Sequence, residues 1–175
     1  MVSYHINPKT GNPGICRATK FCPFGSMEGE HFASKAEARA FYEGEMGSLS
    51  DFRKRFPLKS PLWREGGCEA LAGAIADITG WRAWAMNTSE IYPELQGKFW
   101  RHSVVTIPGG GLLDAYGVHH GTRGDRALFE HLAPGKLSKS YRLFAKKIRE
   151  QTGLEVKRSD LYLLARELLE REKLL

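Results

Sequence analysis

Cysteine is scarce in this chain, with three in 175 residues, at positions 16, 22 and 68. A small, odd set does not fit a disulfide framework, so reduced thiols in a cytoplasmic protein are expected. Long apolar runs are missing too. None approaches the roughly 20 residues needed to span a bilayer, and Met1-Val2-Ser3-Tyr4-His5-Ile6-Asn7 lacks the apolar stretch of a signal peptide. Neither an internal repeat nor a low-complexity tract interrupts the sequence.

The composition suits a compact enzyme, since 42% hydrophobic and 26% charged residues provide for one substantial core with small appendages. A net charge of +6 and a pI near 9.3 favour contact with acidic partners. The basic residues are scattered as well as clustered, so charge alone names no partner.

Three zones follow one another. Residues 1–47 are rich in Gly, Asn and Pro and end in a helix expected from about Ser34 to Glu45, with Ser34 as N-cap, Glu37 completing a capping box and Phe41 on the apolar side. Residues 48–135 carry the chemistry. Residues 136–175 form two amphipathic helices, the first marked by Leu137, Tyr141, Phe144 and Ile148. The second is capped by Ser159 or Asp160 and carries Leu161, Leu164, Leu168 and Leu169 at helical spacing. The expected packing joins all three zones in one unit.

In the middle zone Leu71, Ala72, Ile75 and Ile78 repeat at spacings of three and four, and Gly80 offers a stop. Cys68 opens that helix directly after Gly66-Gly67. Free cysteine is often a small core hydrophobe, yet a thiol at a helix N-terminus also sits where orphan N–H groups and the helix dipole favour the reactive thiolate. His102-Ser103-Val104-Val105-Thr106-Ile107 then reads as a strand, Pro108-Gly109-Gly110-Gly111 as a turn, and Leu112-Leu113-Asp114-Ala115-Tyr116 as a second strand. An odd-numbered loop pairs Val104 with Asp114 and makes His102 the diagonal neighbour of Asp114 on one face. An even loop separates them. On the odd register His102, Val104, Thr106, Leu112, Asp114 and Tyr116 are expected to face the Cys68 helix, and Val105, Ile107, Leu113 and Ala115 to face away. A histidine at a strand edge or an aspartate beside a turn is commonplace alone. Together with a helix-initiating thiol, they supply a nucleophile, a base and an orienting carboxylate.

Cys68, His102 and Asp114 occur in the order and on the element types of the papain-like superfamily, and residues 60 to 120 resemble its transglutaminase-like branch in particular. The resemblance implies an α+β fold in which a catalytic helix packs on a small antiparallel sheet. It also implies a thiol enzyme in which Cys68 is the nucleophile, His102 the general base and then acid, and Asp114 the orienter, with no cofactor required for catalysis. The expected reaction is hydrolysis of a peptide or isopeptide amide in a protein or peptide substrate, with glutamine deamidation or transglutaminase-type amine transfer as the alternative. In place of the glutamine that many papain-like proteases carry upstream of the cysteine, this chain has Trp63-Arg64-Glu65-Gly66-Gly67.

His5, Cys16, Cys22 and His31 form a second constellation within 27 residues, among turn residues such as Asn12-Pro13-Gly14. Two sulfurs and two imidazoles can make a structural zinc site, although the Cys16 to Cys22 spacing is longer than usual for one. The stretch from Tyr4 to Glu43 resembles a short N-terminal element of uncharacterised actinobacterial and phage proteins. Trp81, Trp84, Phe99 and Trp100 are expected in the core, with the loop from Asn87 to Lys98 as a wall of the cleft. Of His119 and His120, adjacent on a strand, at most one can join the site. A reading from another class makes the chain a zinc-containing module whose Lys139, Arg142, Lys146, Lys147, Arg149, Lys157 and Arg158 contact nucleic acid or an acidic protein. Interleaved Glu150, Glu155, Glu167 and Glu170 favour a solvated helix face instead.

Overall fold

Leu71, Ile75 and Ile78 are almost completely buried, and they lie on one side of a helix, Cys68–Thr79, around which the rest of the chain is arranged. The computed structural model describes residues 3–6, 12–16, 31–41, 54, 56–63, 66–87, 101–120 and 128–175. In chain order the elements are β1 (Tyr4–Ile6), β2 (Pro13–Ile15), α1 (35–41), a single 3-10 turn (Pro61–Trp63), α2 (Cys68–Thr79), β3 (Ala83–Asn87), β4 (Arg101–Thr106), β5 (Leu112–Asp114), β6 (Gly117–His119), β7 (Leu128–His131), α3 (Pro134–Thr152) and α4 (Arg158–Arg171). The protein is α+β.

The sheet has the order β6-β5-β4-β3-β7, and every neighbouring pair is antiparallel. β1 and β2 make a separate two-stranded sheet. Helix α2 packs on β3 and β4 on one side and on α3 and α4 on the other, so it is the middle layer between the sheet and the C-terminal helices. Its small residues Ala70, Ala72 and Ala74 are all buried, which permits close approach from both sides. Phe144 and Ile148 of α3, with Leu161, Leu164, Leu168 and Leu169 of α4, complete the core.

Local signals set the helix ends. Ser34 Oγ accepts the Glu37 N–H at 3.2 Å, the expected N-cap bond at the start of α1, while Glu37 Oε2 reaches one residue past the N-cap to accept the Ala33 N–H at 3.0 Å. Gly80 ends α2 in the left-handed region at φ 74, where glycine carries no Cβ penalty. At α4 the expectation needs correcting. The N-cap is Lys157, and Asp160 caps from inside the helix, accepting the Lys157 N–H on Oδ2 at 2.8 Å.

The β4–β5 register is the odd-loop one. Val105 pairs with Leu113 and Thr106 with Leu112, and the Ile107 N–H continues the ladder to the Gly111 carbonyl. The face assignment, however, is reversed. Val105, Leu113 and Ala115 join Leu71 and Ile75 in the core, with Ala83 and Ala85 from β3. Val104 and Leu112 instead form a second cluster with Met86. The alternation along β3 explains this, because Ala83 and Ala85 leave room for a helix where Trp84 and Met86 would not.

Candidate active site

Gly66 and Gly67 determine how Cys68 is presented. Gly66 has φ +121, and a Cβ on Gly67 would lie 2.8 Å from Trp63 Cε3 and 3.1 Å from both the Leu62 carbonyl oxygen and Phe144 Cε2. The first position needs a conformation that glycine tolerates, and the second needs the absence of a side chain. With Gly67 as N-cap, Cys68 is the first residue of α2, where backbone N–H groups have no intrahelical acceptor. Arg101 ties this first turn to the sheet, with ion pairs to Glu69 at 3.8 Å and to Glu130 at 2.7 Å.

His102 and Asp114 stand on the sheet face turned away from the α2 core. His102 Nε2 donates to Asp114 Oδ2 at 2.8 Å. The other carboxylate oxygen, Oδ1, accepts the Tyr116 N–H and His119 Nε2, both at 2.8 Å. Asp114 therefore caps the β5–β6 turn and not the Gly-rich turn before it. His119 joins the site and His120 is exposed, as strand parity requires.

Cys68 and His102 lie close enough for each to shift the other's proton affinity. Odd-numbered residues of β4 direct their backbone groups towards β5, as the Ile107 to Gly111 bond shows. β5 ends at Asp114, one residue short of the position opposite Ser103. The Ser103 N–H points into that opening, and Ser103 and His102 both act on the Cys68 sulfur to favour its ionisation. Nε2 is committed to Asp114, which leaves Nδ1 as the ring nitrogen available to a proton from the thiol. The Ser103 hydroxyl is buried, bonds no nitrogen or oxygen of the described residues, and lies near enough to the sulfur to favour its ionisation.

Burial opposes charge on all three groups. It pushes the Cys68 thiol up, but hydrogen bonding and charge from His102, with Ser103, outweigh it and bring the thiol below its ordinary value. It pushes His102 down, yet the bonds to Asp114 and Cys68 raise the imidazolium to about 9. It pushes Asp114 up, and the two histidines hold the carboxyl well below the usual carboxylate range. These are the directions of a thiolate–imidazolium pair backed by a carboxylate. His102 is 0% exposed, Asp114 4% and Cys68 7%, so the three residues are buried together.

Ser103 is the site residue that sequence reasoning missed. Ser103 carried a signal, being a polar residue at a core-facing position of a β-branched strand. Of the pair His119 and His120, the β5–β6 pairing selects His119, which it sets opposite Leu112 and beside Asp114.

Of the zinc constellation, the structure brings His5, Cys16 and His31 together, their donor atoms all within 4.8 Å of one another. Cys22 lies outside the described residues, as do Phe99, Trp100 and residues 88–98 of the expected cleft wall. His5 is lowered from its ordinary value by burial and by His31. In the basic run Arg142, Lys146 and Arg149 are exposed, whereas Arg158 turns back to Asp77 at 3.1 Å. No helix among the described residues is long and apolar enough to cross a membrane.

Comparison with family models, curated proteins and solved structures finds no match. The functional reading therefore rests on the chemistry of the site.

Proposed function

We propose that the protein is a cysteine-dependent acyl-transfer enzyme of papain-like, transglutaminase-like type, hydrolysing a peptide or isopeptide amide. The observation that supports it is the grouping of Cys68, His102 and Asp114, with His102 hydrogen-bonded to Asp114 at 2.8 Å and close enough to the thiol to favour its ionisation. A structural cysteine needs neither an imidazole nor a carboxylate behind it. A nucleophilic one needs both, the first to take its proton and the second to hold the imidazolium in place.

In this reading the Cys68 thiolate attacks the amide carbonyl carbon, and the oxyanion that forms lies at the start of α2, where the Cys68 N–H is a donor. His102 passes its Nδ1 proton to the leaving nitrogen as the C–N bond breaks, leaving an acyl thioester and a neutral imidazole. A water molecule then gives a proton to Nδ1 and adds to the thioester. Collapse releases the acid and regenerates the thiolate beside the imidazolium. Asp114 keeps its charge throughout, and His119 and the Tyr116 N–H hold its second oxygen. An amine in place of water would give the transglutaminase-type reaction at the same residues.

The test is a panel of fluorogenic peptide, isopeptide and glutamine-amide substrates, with and without iodoacetamide. Turnover that disappears in step with carboxymethylation of Cys68 is expected. Turnover insensitive to that modification would reject the proposal.

A further inference from the structure

We infer that the N-terminal layer is a zinc-binding element, with His5, Cys16 and His31 as its ligands, independent of the Cys68 site. The backbone of three chain segments carries the argument. Tyr4 pairs antiparallel with Ile15 in β2 and with Phe32 in an isolated bridge, so β1 lies between the other two segments. The first pairing is extended by the Cys16 N–H donating to the Ser3 carbonyl, and the second by reciprocal Tyr4 and Phe32 bonds at 2.8 Å. Residue 5 is thereby opposite residue 31 on one side and opposite Gly14 on the other, with Cys16 opposite residue 3. Side chains alternate along a strand, so His5, His31 and Cys16 project from one face, a direct cross-strand pair and a diagonal. Gly14, on that same face, has open space where a side chain would stand.

Distances and chemistry agree with the backbone. Cys16 Sγ and His31 Nε2 are 3.2 Å apart, and the His5 and His31 rings meet edge to face with centroids at 6.1 Å. Tetrahedral zinc with sulfur at about 2.3 Å and nitrogen at about 2.0 Å sets its sulfur and nitrogen ligands about 3.5 Å apart, so the observed pair needs only a small spread to admit the ion. One thiolate and two imidazoles suit a borderline-soft divalent cation rather than calcium or magnesium. His5 is buried at 8% exposure, whereas Ile15 is 50% exposed. A layer with an imidazole where an apolar core would be is one that a metal can hold together. Three protein ligands leave the fourth position of the tetrahedron to water or a further side chain.

The experiment uses the full chain in a Cys68→Ser background, which removes the other thiol–imidazole pair as a competitor. After metal removal and titration with zinc chloride, about one equivalent is expected to bind. Cobalt(II) should give the intense near-ultraviolet sulfur-to-metal band together with tetrahedral ligand-field bands. Cys16→Ser should abolish the sulfur band, and His31→Ala should weaken metal affinity on the order of 10-fold or more. Circular dichroism of α2, α3 and α4 shows that each variant is folded. A folded Cys68→Ser chain that takes up neither zinc nor cobalt overturns the proposal, as does a sulfur band that survives Cys16→Ser.

Discussion

His119 donates to Asp114 Oδ1 at 2.8 Å while His102 holds Oδ2 at the same distance. One carboxylate thus serves two imidazoles, one of them fully buried and the other with a 20% exposed side chain. His119 touches no reacting atom in the proposed mechanism, so it is a positioning residue. His119→Ala should remove about 1–2 kcal/mol of support from the carboxylate, roughly a 5- to 30-fold loss in kcat. Because Asp114 loses one of the two histidines that depress it, the acid limb of kcat/KM should move to higher pH. A loss of equal size at every pH would mean that His119 only packs against the site.

The division of labour within the triad gives a graded series. Cys68→Ala should abolish turnover, and His102→Ala should lose nearly as much, because thiolate and imidazolium act as a unit. Asp114→Asn keeps a hydrogen-bond partner for His102 but loses the charge that supports the imidazolium, so a drop on the order of 10²- to 10⁴-fold is expected. Because Asp114 also accepts the Tyr116 N–H, this variant alone should lose stability at the β5–β6 turn. Turnover assays paired with thermal unfolding check the series. Activity retained by folded Cys68→Ala would end the enzyme reading.

Much of this site was legible because short-range rules specify it. The spacing of Leu71, Ile75 and Ile78, the glycines around Cys68, and the parity of a five-residue connection from Ile107 to Gly111 each depend on neighbouring residues. The face on which His102 stands was not legible. It depends on which side of the sheet α2 chooses, and that is decided by Ala83 and Ala85 on β3, a strand that the sequence reading did not recognise. β3 is next to β4 in space but separated from it by 13 residues, 88–100, between Asn87 and Arg101. The cap of α4 was missed for a related reason. Asp160 works from the third helical position, three residues beyond Lys157, and a preference scale for N-cap residues, which passes over lysine, places the cap at Ser159 or Asp160, two or three residues too late.

The pH dependence of stability should reveal the coupled pair. His102 is raised from 6.5 to about 9 in the folded protein, so its contribution is complete below pH 6.5 and is lost as pH rises through about 9. Cys68 is lowered from its ordinary 9.0, so its contribution is present above pH 9.0 and is lost as pH falls through the depressed value. Between the depressed Cys68 value and pH 9 the two slopes are opposed, and the decline due to His102 should be weakened there. Cys68→Ser removes the thiol's share and leaves His102 raised by Asp114, so the full decline with rising pH should appear above pH 6.5. Urea unfolding at a series of pH values measures both curves. Equal slopes in the two proteins would show that the pair is not coupled in solution.

Gly67 provides the last prediction, because it separates the packing of the site from its chemistry. Its Cβ would press on Trp63, the Leu62 carbonyl and Phe144 at once. Two of these are buried rings in contact with each other, their centroids 5.6 Å apart, and the Leu62 carbonyl also accepts the Gly67 N–H at 3.1 Å. None is the loose end of a flexible side chain. Gly67→Ala should therefore cost about 1–3 kcal/mol by overpacking, and it should displace the first turn of α2, moving the sulfur away from Ser103 and His102. The thiol would then be left to burial alone, which pushes it up, so alkylation of Cys68 at neutral pH should slow along with turnover. Phe144→Leu in the same chain vacates one of the three contacts and should recover part of both losses. If Gly67→Ala unfolds at the same urea concentration as the parent and alkylates at the same rate, the close approach around Gly67 does not govern the thiol.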